Sequence, residues 1–231
     1  MSETVSFKSN GDTANGYLFV PASGSGPGVI VVQEWWGVNP QIKGMAERLA
    51  NDGFTALVPD LYHGELAQHD EMDKASHLMQ SLPMDRAARD MLGAVDYLLS
   101  RDECTSTKVG VIGFCMGGML SLVLGAAGGD KIGAVTPFYG APVGESGVDW
   151  NGLTAPVKGH FAEIEQFFTP DAVGALEAEL KGMGKDVQLE VHAGAGHAFC
   201  NEENPLGTYN PELAATCLAD AFAFLHKNLS S

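Results

Sequence analysis

The stretch KVGVIGFCMGGMLSLVLGA, Lys108–Ala126, constrains the fold more than any other part of the chain. A short apolar run passes through a glycine turn into an uncharged, apolar helix, with a cysteine at the bend. A strand that is apolar on every residue is buried on both faces, as in parallel sheets covered by helices.

The same alternation recurs along the sequence. VIVVQ, from residue 29, reads as a strand, and Pro40 opens an amphipathic helix that Gly53 closes. FTALVP is a second strand. Helical spacing follows around Asp70–Gln80 and again over Met84–Ser100, where Ala88, Leu92, Val95 and Leu99 recur. After the KVGVIGF strand and its helix come IGAVTPFYG, APVKGHF and VQLEVHAG as strands. A helix over about 171–182 lies between the last two, and Pro211 starts a final helix. Strands alternating with helices predict an α/β fold with a mostly parallel sheet covered on both faces. In such sheets, sites form at the carboxyl ends of the strands. SGSGPG at 23–28 is too short to divide domains, so residues 1–231 are expected to form one domain.

Charge narrows the partners. Thirteen basic against 29 acidic residues give a net −16, which disfavours nucleic acid and anionic membrane surfaces. Val109–Gly129 carries no charge and is long enough to span a bilayer, but Gly113, Gly117, Gly118 and Gly125 break it and a strand–turn–helix accounts for it. MSETVSFKSN lacks the features of a secretory signal. The four cysteines, Cys104, Cys115, Cys200 and Cys217, form no CxxC pair, and no Cys/His spacing resembles a zinc site. Free thiols in a cytoplasmic protein, a monomer or weak homo-oligomer without metal or organic cofactor, are the expectation.

Four features at strand ends carry chemistry. G-x-C-x-G at 113–117 is the nucleophile-elbow pattern with Cys115 in the place of serine. The helix starting at Met116 points its positive end at the sulfur, which favours a thiolate, and the Met116 amide is placed to donate to an oxyanion. A buried packing cysteine is the plainer alternative. His197, in the glycine-flanked AGAGHAFC, is the candidate base. His63, His160, His192 and His226 read equally well as surface or structural groups. HFAEIEQFFTP offers Glu163 and Glu165 as the acid that orients the imidazole. QEWWGVNP supplies adjacent tryptophans suited to a pocket wall, the region of a second oxyanion donor, and Glu34, which suggests a gating role beside the thiol.

Together, QEWWGVN, PDLYHG, KVGVIGFCMGG, HFAEIEQF and GAGHAFCNEENP resemble the dienelactone hydrolase family, the cysteine branch of the α/β-hydrolases. The resemblance runs over nearly the whole chain. It implies an α/β-hydrolase fold, Cys115 as nucleophile, His197 as base, Glu34 as the glutamate near the thiol, and the amides of Trp35 and Met116 as the oxyanion hole. It also implies a pocket that includes Trp36 and Asn201. Family members usually carry aspartate where this chain has Glu165. The position four residues after the histidine, where an arginine holds the substrate carboxylate, is Asn201, and HDEMDKASH lacks a further arginine. Hydrolysis of an activated ester or lactone is therefore implied more firmly than that of dienelactone itself. Two other classes stay open: a redox-responsive thiol protein in which Cys200 resolves oxidised Cys115, and a non-catalytic ligand-binding module.

Overall fold

The computed structural model describes residues 2–9, 11–142, 144 and 147–229. The ends of the expected domain, residues 1, 230 and 231, lie outside the described residues. Eight strands form one sheet: β1 (Ser2–Ser9), β2 (Asp12–Phe19), β3 (Gly28–Val32), β4 (Thr55–Pro59), β5 (Val109–Phe114), β6 (Ile132–Phe138), β7 (Val157–Ile164) and β8 (Val187–Gly196). Their order is β1-β2-β4-β3-β5-β6-β7-β8. From β4 onward neighbouring strands are parallel, whereas β1, β2 and β4 pair antiparallel.

Six α-helices complete the described residues: α1 (Pro40–Asn51), α2 (Met72–Ser81), α3 (Met84–Leu99), α4 (Met116–Gly128), α5 (Pro170–Gly182) and α6 (Pro211–Leu229). Alternate strand residues divide the core between the two faces. Ile30, Val32 and Val111 pack with residues of α2, α3, α4 and α5. Val29, Val31 and Ile112 pack with residues of α1 and α6. All residues of β3 and β5 are buried, which is why these strands read as unbroken apolar runs. Each fully buried valine or isoleucine there contributes about 1.5–3 kcal/mol over an exposed one.

The helix boundaries have local causes. Asn39 Oδ1 accepts the Ile42 amide at 3.0 Å and Pro40 occupies the first turn, so α1 starts where the Asn-Pro pair sets it. Gly53, at φ +97°, lets the chain leave α1 and enter β4. The uncharged segment Val109–Gly129 is β5 and α4, and among the described residues no helix is long and apolar enough to cross a membrane.

Candidate active site

Register brings distant residues together at the carboxyl edge of the sheet. Val32 lies opposite Gly113, and Phe114 opposite Phe138, so the ends of β3 and β6 flank the turn after β5. On the other side, Ile164 pairs with Gly196. The next residues, Glu165 and His197, therefore leave adjacent strand ends together.

Cys115 sits at the turn with φ +57° and ψ −119°, a region that a side chain occupies only under strain. The strain is held from both sides. The Cys115 amide donates to the Phe138 carbonyl at 3.1 Å, and its own carbonyl accepts from Gly118 and Met119 at 2.9 and 3.3 Å. Crowding explains the flanking glycines: a Cβ on Gly113 would stand 2.0 Å from the Gly117 carbonyl oxygen, and one on Gly117 2.3 Å from that of Val32. The result is a part-exposed sulfur at the amino terminus of α4. Met116 is the first residue of that helix, so its amide lacks an intrahelical partner.

His197 is 12% exposed at its side chain and bonds Glu165 Oε2 through Nδ1. Its other nitrogen is left for Cys115, whose side chain acts on the ring. Burial pulls the imidazole down, but the bonds to Cys115 and Glu165 outweigh it and raise its pKa to about 10. The imidazole therefore holds its proton firmly beside the Cys115 sulfur. Tyr139 and Phe167 meet the ring edge-on, and Phe168 stacks on it with centroids 6.2 Å apart.

The two candidate acids part company. Glu163 accepts the Gly194 amide at 2.8 Å on the exposed edge of β8. Glu165 turns inward, its side chain 1% exposed. Its Oε1 accepts the amides of Gln166 and Phe167 at 2.8 and 2.9 Å, which folds the long side chain back and leaves Oε2 for His197. Burial pushes this carboxyl up, yet the bonds from His197 and the two amides more than offset it and hold it below the usual range.

The residues after β3 form a tight turn, closed by the Gly37 amide on the Glu34 carbonyl at 3.1 Å. The Tyr62 hydroxyl donates to the Trp35 carbonyl at 3.0 Å and fixes that peptide's orientation. Trp35 is part-buried, whereas Trp36 is 2% exposed and packs edge-on against Trp35 and His69. Trp36 therefore backs the turn, and Trp35 is the tryptophan with surface to offer. Glu34 is 2% exposed, and its partners are side chains, Asn201 and Tyr139. Burial pushes its carboxyl to about 7, against the pull of His197 and these two bonds. Asn201 is itself 1% exposed, so it serves Glu34 and does not present an amide to solvent.

Sequence patterning does not single out Tyr139, Phe167 or Phe168. Tyr139 stands at the carboxyl end of β6, the place the strand-end rule marks, and its φ of +37° is rare for a tyrosine. Cys200, the expected resolving thiol, is 1% exposed, and burial pushes its pKa well above the ordinary value, a condition under which a thiol is inert.

Comparison with known proteins supplies the family. Residues 14–229 match the dienelactone hydrolase family. Protein usf of Aquifex pyrophilus is 36% identical over 217 residues, which cover 91% of this chain and 92% of that protein. Carboxymethylenebutenolidase of Pseudomonas sp. (strain P51) is 29% identical over 240 residues, 98% of this chain and 96% of that one. The solved structure m3DLH superposes with a TM-score of 0.87 at 25% identity, covering 100% of this chain and 99% of its own. The chain belongs to the dienelactone hydrolase family and is a hydrolase of the carboxylic ester class.

Proposed function

We propose that this protein hydrolyses activated, enol-like esters or lactones, with Cys115 as nucleophile, His197 as general base and acid, and Glu165 as the group that orients the imidazole. The observation that supports this reading is Glu165 bonded to His197 Nδ1, with the ring beside Cys115 at a positive-φ turn.

In the first half-reaction the Cys115 thiolate attacks the carbonyl carbon. The amides of Met116 and Trp35 hold the oxyanion, usually the largest single contribution to such catalysis. Collapse breaks the C–O bond, leaves a thioester on Cys115 and releases the alcohol or enol, which takes the His197 proton. In the second half His197 takes a proton from water, the hydroxide adds to the thioester carbon, and the C–S bond breaks to release the acid. A thiolate is a good leaving group as well as a good nucleophile, so a tetrahedral adduct partitions forward only when the departing group leaves at least as readily. Enol and aryl oxygens meet that demand and amide nitrogens do not.

The groups around His197 also bear on substrate charge. Asn201 replaces a cationic fork and is occupied by Glu34, while Phe167 and Phe168 supply apolar surface. Neutral, partly aromatic acyl or leaving groups fit this lining better than a free carboxylate. We further read the chain as a single cytoplasmic domain, working as a monomer or weak homo-oligomer. The free cysteines among the described residues support the reducing setting.

The test is a panel of aryl esters, enol lactones and peptides given to wild type, C115S and H197A, with intact mass measured during turnover. An acyl adduct on wild type, faster lactone than peptide cleavage, and loss of turnover in both variants are expected. Peptide cleavage faster than lactone cleavage overturns the reading.

A further inference from the structure

We propose that His160, His192 and Cys217 form a binding site for a zinc-type divalent transition-metal ion, separate from the reaction centre, that pins α6 to β7 and β8. Three potential ligand atoms converge from three elements. His160 Nδ1 and His192 Nε2 are 3.1 Å apart, His192 Nε2 and Cys217 Sγ 3.3 Å, and all three atoms lie within 4.8 Å of one another. Ligand edges around a tetrahedral zinc ion are about 3.3 Å between nitrogens and about 3.6 Å between nitrogen and sulfur. The two edges at His192 are within a few tenths of an ångström of these values, and the third, from His160 to Cys217, lies within 4.8 Å and closes by up to about 1.2 Å to admit the ion, with water in the fourth position.

An unpartnered buried nitrogen stands beside these distances. His160 Nε2 is buried without a hydrogen-bond partner, and Asp220 Oδ2 stands 3.4 Å from it. The three facing atoms are joined by hydrogen bonds, His160 Nδ1 to His192 Nε2 and that nitrogen to Cys217 Sγ, and Glu190 Oε1 lies 3.9 Å from His192 Nδ1. A metal ion replaces these proton-bridged contacts by ligation to all three atoms, while each imidazole keeps its second nitrogen on the side of a carboxylate, as metal-bound histidines commonly do. Lys158, 2.6 Å from Asp220 Oδ1, holds that carboxylate in place.

Ligation takes neutral imidazoles and a thiolate, so Cys217 gives up its proton to solvent as the metal–sulfur bond forms. The site lies on the α1 and α6 face, where Phe138 packs on His160 and Phe199 on His192, and those rings separate it from Tyr139 and His197. Because the ligands come from β7, β8 and α6, no CxxC or HxxxH spacing announces them.

Cobalt(II) titration of the chelator-treated protein tests this, read by the thiolate-to-cobalt absorption and the visible bands of a tetrahedral centre. C115S serves as the background, since Cys115 and His197 also offer a thiolate and an imidazole. The expected result is one equivalent bound per chain in wild type and in C115S. Affinity falls at least tenfold in D220N and the thiolate band is lost in C217S. Zinc at a hundredfold excess over its dissociation constant should raise the unfolding midpoint of C115S by roughly 5–10 °C. Circular dichroism checks the fold, and should C217S not fold, H192Q replaces it, with loss of binding again the expected result. No stoichiometric binding in wild type overturns the proposal. So does a cobalt band that persists in C217S and disappears in C115S, because that assigns the ion to the reactive pair.

Discussion

Asn201 and Glu34 stand 167 residues apart in sequence and meet in a 2.8 Å bond, the amide of the one on the carboxylate of the other, both buried. This bond changes what each residue is for. At the position of the family's arginine, Asn201 faces inward to a carboxylate that also receives the Tyr139 hydroxyl. Glu34, which follows β3, is thereby held by residues that follow β6 and β8, near His197.

The pH dependence of stability follows from Glu34. Burial raises its pKa from 4.5 to about 7, so the folded state holds this proton more tightly than the unfolded chain. Between these values the native state binds more protons than the unfolded state, and stability falls as pH rises through the window. The loss is on the order of 3 kcal/mol and is complete above about pH 7. E34Q has no such proton, so urea unfolding of wild type and E34Q from pH 4.5 to 8 isolates it. Wild-type stability minus that of E34Q should decline with pH; a flat or rising difference contradicts the assignment.

The acid of the reactive series is distinguishable from its neighbour by kinetics. E165Q loses the charge that steadies the imidazolium and the acceptor that fixes its tautomer, and kcat for an aryl ester should fall about 10²–10⁴-fold. E163Q removes only an acceptor for the exposed Gly194 amide, and its kcat should stay within about twofold of wild type. Equal losses in the two variants would mean that the carboxylate bonded to Nδ1 is not the one that matters.

Much of this arrangement is legible in the sequence, for physical reasons that also mark the limits. β3 and β5 are apolar at every residue because both faces are covered, and Gly113, Gly117 and Cys115 announce a turn that few residue types permit. The hairpin of β1 and β2 is harder to see, although Val5, Phe7, Ala14 and Leu18 alternate inward, because half of its surface is polar and no helix intervenes. Spacing does not separate Glu163 from Glu165, since the deciding contacts are backbone amides of Gln166 and Phe167 in the turn itself. In the sequence Asn201 is only an absent arginine. Its bond to Glu34 depends on a contact between strand-end loops that no local pattern encodes.

The proton on His197 depends on the sulfur beside it. Removing the thiol in C115A takes away the first of the hydrogen bonds that raise the imidazole, while the burial that opposes it stays. The imidazole should then titrate well below its wild-type value of about 10, visible in the ring-proton NMR shifts between pH 5 and 11. An unchanged midpoint would place the proton's stabilisation on Glu165 alone.

The elbow glycines set a steric limit that stability measurements can reach. In G117A the new Cβ meets two backbone carbonyl oxygens, of Val32 at 2.3 Å and of Gln33 at 2.5 Å, and neither can move without distorting β3. G117A should lose at least about 2–3 kcal/mol of stability. G174A, where a Cβ meets nothing within 4 Å inside α5, should match or exceed wild type, since alanine is the better helix former. Equal melting temperatures for the two variants would show that the turn is not packed as described.

Substrate preference rests on the segment after Glu165. Phe167 is 70% exposed yet sits 5.9 Å from the His197 ring, so its apolar surface lies open at the rim of the reaction centre. Leaving a phenyl ring in water is unfavourable, and covering it with an aromatic leaving group recovers part of its transfer free energy. Half of that contribution, about 1 kcal/mol, corresponds to a roughly five-fold change in binding. F167A should therefore raise KM for an aryl ester about five-fold and leave kcat near its wild-type value, because the ring touches the leaving group and not the bonds that change. For an alkyl ester with the same acyl group KM should hardly move. A fall in kcat with KM intact would instead assign Phe167 to the positioning of His197, and the aryl preference would have to be sought at Trp35.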